Sequence, residues 1–77
     1  MPQQILVVDD EEAIADLVEV YLSNEGFAVR KFSSAAPALA SVEADPPDLA
    51  VLDVMLPDAD GFALCQKIRE KHLFPII

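Results

Sequence analysis

The chain has 77 residues, 53% of them hydrophobic, with 14 acidic against 5 basic side chains and a formal net charge of -9. One small domain is the ceiling, and at this length only about 60% or slightly more of the unfolded surface is buried, so a marginal core is expected. The acidic excess excludes nucleic acid and anionic membranes as natural partners of these residues, because phosphate binding rests on Lys and Arg, and it favours cations or basic protein surfaces.

Each long apolar stretch is cut by a charge well before the roughly 20 residues needed to span a bilayer. "MPQQIL" has no basic region leading into a long apolar core, and a single cysteine cannot form an internal disulfide. A soluble, cytoplasmic chain is expected.

"ILVV", residues 5–8, is a continuous apolar run of the kind that forms a strand buried on both faces, and Asp9 and Asp10 end it. Ile14, Leu17, Val18, Tyr21 and Leu22 then recur at spacings of three and four, which predicts a helix of roughly three to four turns. Glu11 and Glu12 suit its first turn, and Gly26 suits the position just past its end. A short strand is expected over residues 28–32.

Ser34, with Pro37 three residues on, marks the start of a second helix, and Ala35, Leu39 and Val42 give it a modest apolar face to about Glu43. "DPPD", residues 45–48, must break it, because proline fixes φ and disfavours the helical region for the residue before it. A second doubly buried strand runs over residues 49–52. Leu64, Cys65 and Ile68 are the apolar positions of a third helix whose cations gather at its carboxyl end. "FPII" opens another apolar run, the start of a fourth strand. Strand and helix alternate throughout, which implies a parallel sheet with helices on both faces.

The two clearest strands, "ILVVDD" and "LAVLD", both end in aspartate. In a parallel sheet all carboxyl ends share one edge, so Asp9, Asp10 and Asp53 converge if those strands are neighbours, at the edge where open α/β sheets bind ligands. Two carboxylates about 5 Å apart repel by on the order of 3 kcal/mol at an effective dielectric near 20. A divalent cation reverses that sign, and oxygen donors with positions left for water suit Mg²⁺. One of the acids can then act as a nucleophile toward a phosphoryl group.

Blander readings compete. Asp9 to Glu12 taken alone are as readily solvated acids at a helix start. Asp58 and Asp60 suit loop and N-cap positions better than ligand roles. Cys65 lies on an apolar stripe and reads as a small buried hydrophobe, and His72 has no second His or Cys at ligand spacing and reads as a surface residue near a helix end. The Met55 backbone carbonyl, two residues beyond Asp53, borders the site.

These stretches resemble the receiver domain of bacterial two-component response regulators. "ILVVDDEEAI" looks like the family's first strand and acidic pair, "LAVLDVMLPDADG" like its phosphoacceptor strand and loop, and "FPII" like the start of its fourth strand. "IADLVEVYLSNEGF" and "CQKIREKHLFPII" look most similar to the vancomycin-resistance regulators of the winged-helix, DNA-binding subgroup.

The resemblance implies a flavodoxin-like, CheY-like doubly wound parallel sheet truncated after the start of its fourth strand, so that residues 1–77 are a partial receiver domain without an output domain. It implies that Asp53 accepts a phosphoryl group from the histidine of a sensor kinase. It further implies that Asp10 ligates Mg²⁺ directly, that Asp9 acts through water, that the Met55 carbonyl completes the metal site, and that Pro57 and Gly61 shape the loop. The family's Ser or Thr after the fourth strand and Lys after the fifth fall beyond Ile77.

The chain is therefore expected to be an amino-terminal fragment of a longer, DNA-binding regulator, not itself an enzyme and not membrane-bound. Its exposed sheet edge is expected to make an isolated copy unstable or sticky, so that a folded form either pairs as a homodimer or is ordered only where other contacts complete the sheet. Two other classes are weighed against the receiver. An aspartyl phosphatase would want a second acid where Met55 stands, and a binding module would use the acids only to hold a structural cation.

Overall fold

In the computed structural model, which describes residues 2–77, strands β1 (Gln4–Val8), β2 (Ala28–Phe32) and β3 (Leu49–Leu52) alternate with helices α1 (Glu12–Asn24), α2 (Ala35–Ala44) and α3 (Gly61–Arg69). The strands form one parallel sheet in the order β2-β1-β3. The adjacency of β1 and β3, on which the convergence of aspartates depends, is present: Val8 pairs with Leu52 at the carboxyl edge.

Side chains on a strand alternate between faces, so a strand with helices on both sides must be apolar at every position. β1 obeys this. Leu6 and Val8 pack with Ala38 and Val42 of α2 and Leu64 and Ile68 of α3, while Ile5 and Val7 pack with Ala15, Val18 and Leu22 of α1. The four side chains from Ile5 to Val8 are at most 6% exposed, and each such burial contributes about 1.5–3 kcal/mol. The sheet is thus covered on both faces, by α1 on one and by α2 with α3 on the other.

α1 ends as its glycine predicts. Gly26 adopts φ 92°, and the N–H groups of Gly26 and Phe27 donate to the carbonyls of Ser23 and Leu22, the paired bonds that close a helix through a left-handed residue. The start differs slightly, since Glu11 is the N-cap and only Glu12 lies in the first turn. The apolar stripe divides as well: Val18 and Leu22 turn to the sheet, whereas Leu17 and Tyr21 stay 55% and 67% exposed. A wide stripe on one helix covers more arc than a three-stranded sheet can meet, and the small Ala15 makes the contact instead.

The last residues start a fourth strand without completing one. Ala50 N–H donates to Pro75, Ile77 N–H donates to Ala50 and Leu52 N–H donates to Ile77, giving a single parallel bridge between Ala50 and Ile76. His72 corrects an expectation, because its side chain is only 15% exposed. It lies 3.8 Å from Glu43 and against the ring of Phe74, so the turn after α3 folds it against the protein. Among the described residues no helix is long and apolar enough to cross a membrane.

Candidate functional site

Asp9 and Asp53 continue the sheet past its strands. Asp53 N–H donates to Val8 at 2.8 Å and Asp9 N–H donates to Phe32 at 3.0 Å, so the main chain of each is held by the ladder of a neighbouring strand. Asp10 is the next residue along. As a result Asp9, Asp10 and Asp53 each bring a carboxylate oxygen within 4.8 Å of the other two. Asp9 and Asp53 are half-buried and Asp10 is exposed.

At 4.8 Å a pair of like charges repels by about 1 kcal/mol in water and about 3.5 kcal/mol at an effective dielectric of 20. Local donors relieve this unevenly. Glu11 N–H donates to Asp9 Oδ1 at 2.9 Å, which both fixes that carboxylate and places it at the positive end of α1. Met55 N–H reaches Asp53 Oδ1 at 3.5 Å, a distance at which a hydrogen bond is weak. Among the described residues no Lys, Arg or His pairs with any of the three acids. The donor set is three carboxylates, all oxygen, which fits a hard divalent cation.

A cation beside the site is committed elsewhere. Lys31, at the end of β2, lines a hollow of about 360 Å³ together with Asp9, Asp10, Glu12 and Asp16. Its ammonium binds Asp16 at 2.5 Å and Glu19 at 3.1 Å on α1. Hydrogen bonds to Asp16 and then Glu19 raise its pKa above the ordinary lysine value, so it stays charged and ties α1 to β2.

The loop from Asp53 to α3 is built by three devices. Met55 and Asp60 form an antiparallel bridge, and Gly61 N–H donates to the Val54 carbonyl at 2.7 Å. Asp60 caps α3 by accepting from Phe62 N–H at 2.8 Å, the N-cap role expected of it. Gly61 sits so close under the strand end that an added Cβ would meet the Asp53 carbonyl oxygen at 2.0 Å. Pro57 and the Met55 side chain are exposed on the rim, while Leu56 and Ala59 pack inward on the α2–α3 core.

Asp58 does more than occupy the loop. Ala35 N–H donates to its Oδ1 at 2.7 Å and Ala36 N–H to its Oδ2 at 2.9 Å, so it caps α2 from more than twenty residues away. Ser34, the residue at the N-cap position, makes no side-chain cap bond. Local reading could not find this, because a serine beside the helix is the default cap and nothing in the spacing of Asp58 points to α2. Cys65 is half-buried and free, on the wall of a hollow of about 240 Å³ that also touches Asp53 and Phe62.

Known proteins share this fold and sequence pattern. A family model for the response regulator receiver domain matches residues 5–77. The regulatory protein VanRc of Enterococcus gallinarum is 56% identical over all 77 residues, which make up 33% of that protein. The alkaline phosphatase synthesis transcriptional regulatory protein PhoP of Bacillus subtilis is 46% identical over 78 aligned residues, covering all of this chain and 32% of that one. Among solved structures, the BeF3-activated N-terminal receiver domain of Klebsiella pneumoniae RstA superimposes with a TM-score of 0.90 at 32% identity, over 95% of this chain and 62% of that one. The chain spans about one third of the length of the relatives it matches.

Proposed function

The chain belongs to the response regulator receiver domain family of two-component systems, and on that premise we propose that Asp53 is its phosphoacceptor and that Asp9, Asp10 and Asp53, with the Met55 carbonyl, hold Mg²⁺. The observation that carries this reading is the meeting of three carboxylates within 4.8 Å at the carboxyl edge of β1 and β3. Of the three, Asp53 is the one that follows β3, and among the described residues its side chain has only the long contact to Met55 N–H, so lone pairs are free for attack. Asp9 is already engaged by Glu11 N–H, which suits a role through water, and Asp10, exposed beside it, suits direct ligation.

The donor is a phosphohistidine of a sensor histidine kinase. A carboxylate oxygen of Asp53 attacks phosphorus, the new P–O bond forms as the P–N bond breaks, and the electron pair stays on the departing imidazole nitrogen. When bound, Mg²⁺ supplies positive charge that offsets the repulsion between the three acids and the phosphoryl oxygens. The chain's own contribution is placement: the ladder bond from Asp53 N–H to Val8 and the closed loop from Val54 to Gly61 fix where the nucleophile stands. Catalysis of phosphoryl transfer is almost entirely positioning together with electrostatic stabilisation. The whole protein's output is transcriptional control through DNA binding, by a region other than these residues, whose charge of -9 opposes DNA. Pro57 and Gly61 shape the loop, and Met55, where a phosphatase would carry a second acid, disfavours a hydrolytic enzyme.

Incubation with Mg²⁺ and acetyl phosphate, read by intact mass, tests the reading. One added phosphoryl group in the wild type and none in Asp53→Asn is the expected result. Donor consumption without a stable adduct would point to an enzyme instead, and no addition at all to a module that only binds a cation.

A further inference from the structure

We propose that Asp58 is a positioning residue for the acidic site, holding the loop between Asp53 and Asp60 in place by docking it on the amino terminus of α2. The proposal rests on the reading of Asp53 and its neighbours as a phosphoryl and metal site.

The loop is closed at its base by the Met55–Asp60 bridge and by the Gly61 N–H bond to Val54. Those contacts fix its ends to each other but not to the rest of the fold. The tip is anchored by Asp58, both of whose oxygens accept backbone N–H groups of α2, and by Ala59, which packs on the core that α2 shares with α3. A helix start leaves several N–H groups without partners. Here the chain could have satisfied one with Ser34, which stands at the N-cap with extended backbone but makes no cap bond. The cap is contributed from the loop instead, so the helix end and the loop bearing the Met55 carbonyl are parts of one hydrogen-bonded unit. Donation from Ala35 and Ala36 holds the Asp58 carboxyl below its ordinary pKa, so the clamp is ionised at neutral pH and complements the positive end of α2. Replacing residues that orient ligands from outside typically weakens a metal site about 10- to 100-fold.

Three variants test this. Asp58→Ala is expected to raise the Mg²⁺ dissociation constant, measured by calorimetry, about 10-fold, and to speed hydrogen exchange at the Gly61 amide in the metal-free protein. Asp58→Asn keeps one acceptor oxygen and is expected to recover most of both losses, and it remains informative if the alanine variant folds poorly. Val42→Ala, on the buried face of α2, loosens the helix about two turns away from the Ala35 and Ala36 amides that Asp58 accepts from and is expected to leave both readouts close to wild-type values. If Asp58→Ala left Gly61 exchange and Mg²⁺ affinity unchanged, or Val42→Ala moved them equally, Asp58 would be a helix cap only and the proposal would be overturned. Wild-type protein that bound no Mg²⁺ would overturn the metal assignment instead, and Gly61 exchange would still decide the role of Asp58.

Discussion

Gly61→Ala isolates the placement of Asp53 from its chemistry. An alanine Cβ at this position would lie 2.0 Å from the Asp53 carbonyl oxygen, 2.8 Å from Val54 Cα and 2.9 Å from the Asp53 carbonyl carbon. Comfortable non-bonded separations are about 3.5–4.0 Å. All three atoms are main chain, so no rotamer change relieves the clash and the end of β3 must retreat from α3 by more than about 1 Å. Overpacking of this kind costs about 1–3 kcal/mol, or a fall in Tm of about 4–8 °C for each kcal/mol in a domain of this size. Misplacing a reacting group by about 1 Å can cost on the order of 100-fold in rate, equal to about 2.7 kcal/mol of barrier. The assay is the time course of Asp53 phosphorylation by acetyl phosphate, followed by intact mass at a temperature where the variant is folded. Gly26→Ala is the comparison: its φ of 92° penalises a side chain, yet nothing lies within 4 Å. It should lose about 1–2 kcal/mol and phosphorylate at the wild-type rate. Folded Gly61→Ala reacting as fast as wild type would refute the claim that close approach at Gly61 places the nucleophile.

Other outcomes follow from the same structure. Mg²⁺ at ten times its dissociation constant should stabilise the wild type by about 1.4 kcal/mol, and Asp10→Asn should lose most of that thermal shift; an equal shift in both would remove Asp10 from the metal site. Ile68→Ala, at a position 0% exposed, should cost about 2–5 kcal/mol in denaturant unfolding, and a smaller loss would mean that α3 collapses onto the vacated space. Asp58 has a folded pKa depressed by Ala35 and Ala36, so its stabilising contribution is complete above the unfolded carboxylate value near about 3.9 and disappears as pH falls through the depressed one. Asp58→Asn should therefore flatten the acid limb of the stability profile relative to wild type, and superimposable acid limbs would show that the two amides do not favour the ionised form.

Much of the fold was legible because its determinants are local. "ILVV" and "LAVL" are apolar at every position, and only a strand covered on both sides asks for that, so β1 and β3 fall where the sequence predicts. Gly26 and Asp60 announce the end of one helix and the start of another by residue type alone. What could not be read locally was decided by what each element meets in three dimensions. Leu17 and Tyr21 have the spacing of core residues and stay exposed, because spacing records the hydrophobic arc of a helix and not the width of the sheet beneath it. His72 looked like a surface residue until the turn after α3 folded it beside Glu43 and Phe74. The meeting of the acids was legible in part: two strands ending in Asp required only that they be neighbours. The capping of α2 by Asp58 was not, since a hydrogen bond between residues more than twenty apart leaves no periodic signature.

The arrangement of charge around the three aspartates has its own logic. The fold keeps two cationic solutions away from them. Lys31, the cation that shares a hollow with Asp9 and Asp10, is held by Asp16 and Glu19, and Arg30 on the same strand donates to Ser41 and the Asp45 carbonyl on the opposite side of the sheet. Had either side chain paired with Asp53, it would have stabilised the resting fold while removing the free carboxylate that the proposed phosphoryl transfer needs. Leaving the repulsion only partly relieved, through Glu11 N–H on Asp9, costs stability and, on the proposed reading, preserves affinity for an incoming cation. In the proposed reaction that cation and the phosphoryl group are then linked. A phosphoryl group carries about -1.5 to -2 charges at neutral pH, here in place of the single charge of the carboxylate it esterifies, so whatever factor the phosphoryl group contributes to cation affinity, the cation must return to the phosphorylated state. Partial neutralisation by Lys31 would have weakened that coupling in both directions, which is a physical reason for the lysine to be held on α1.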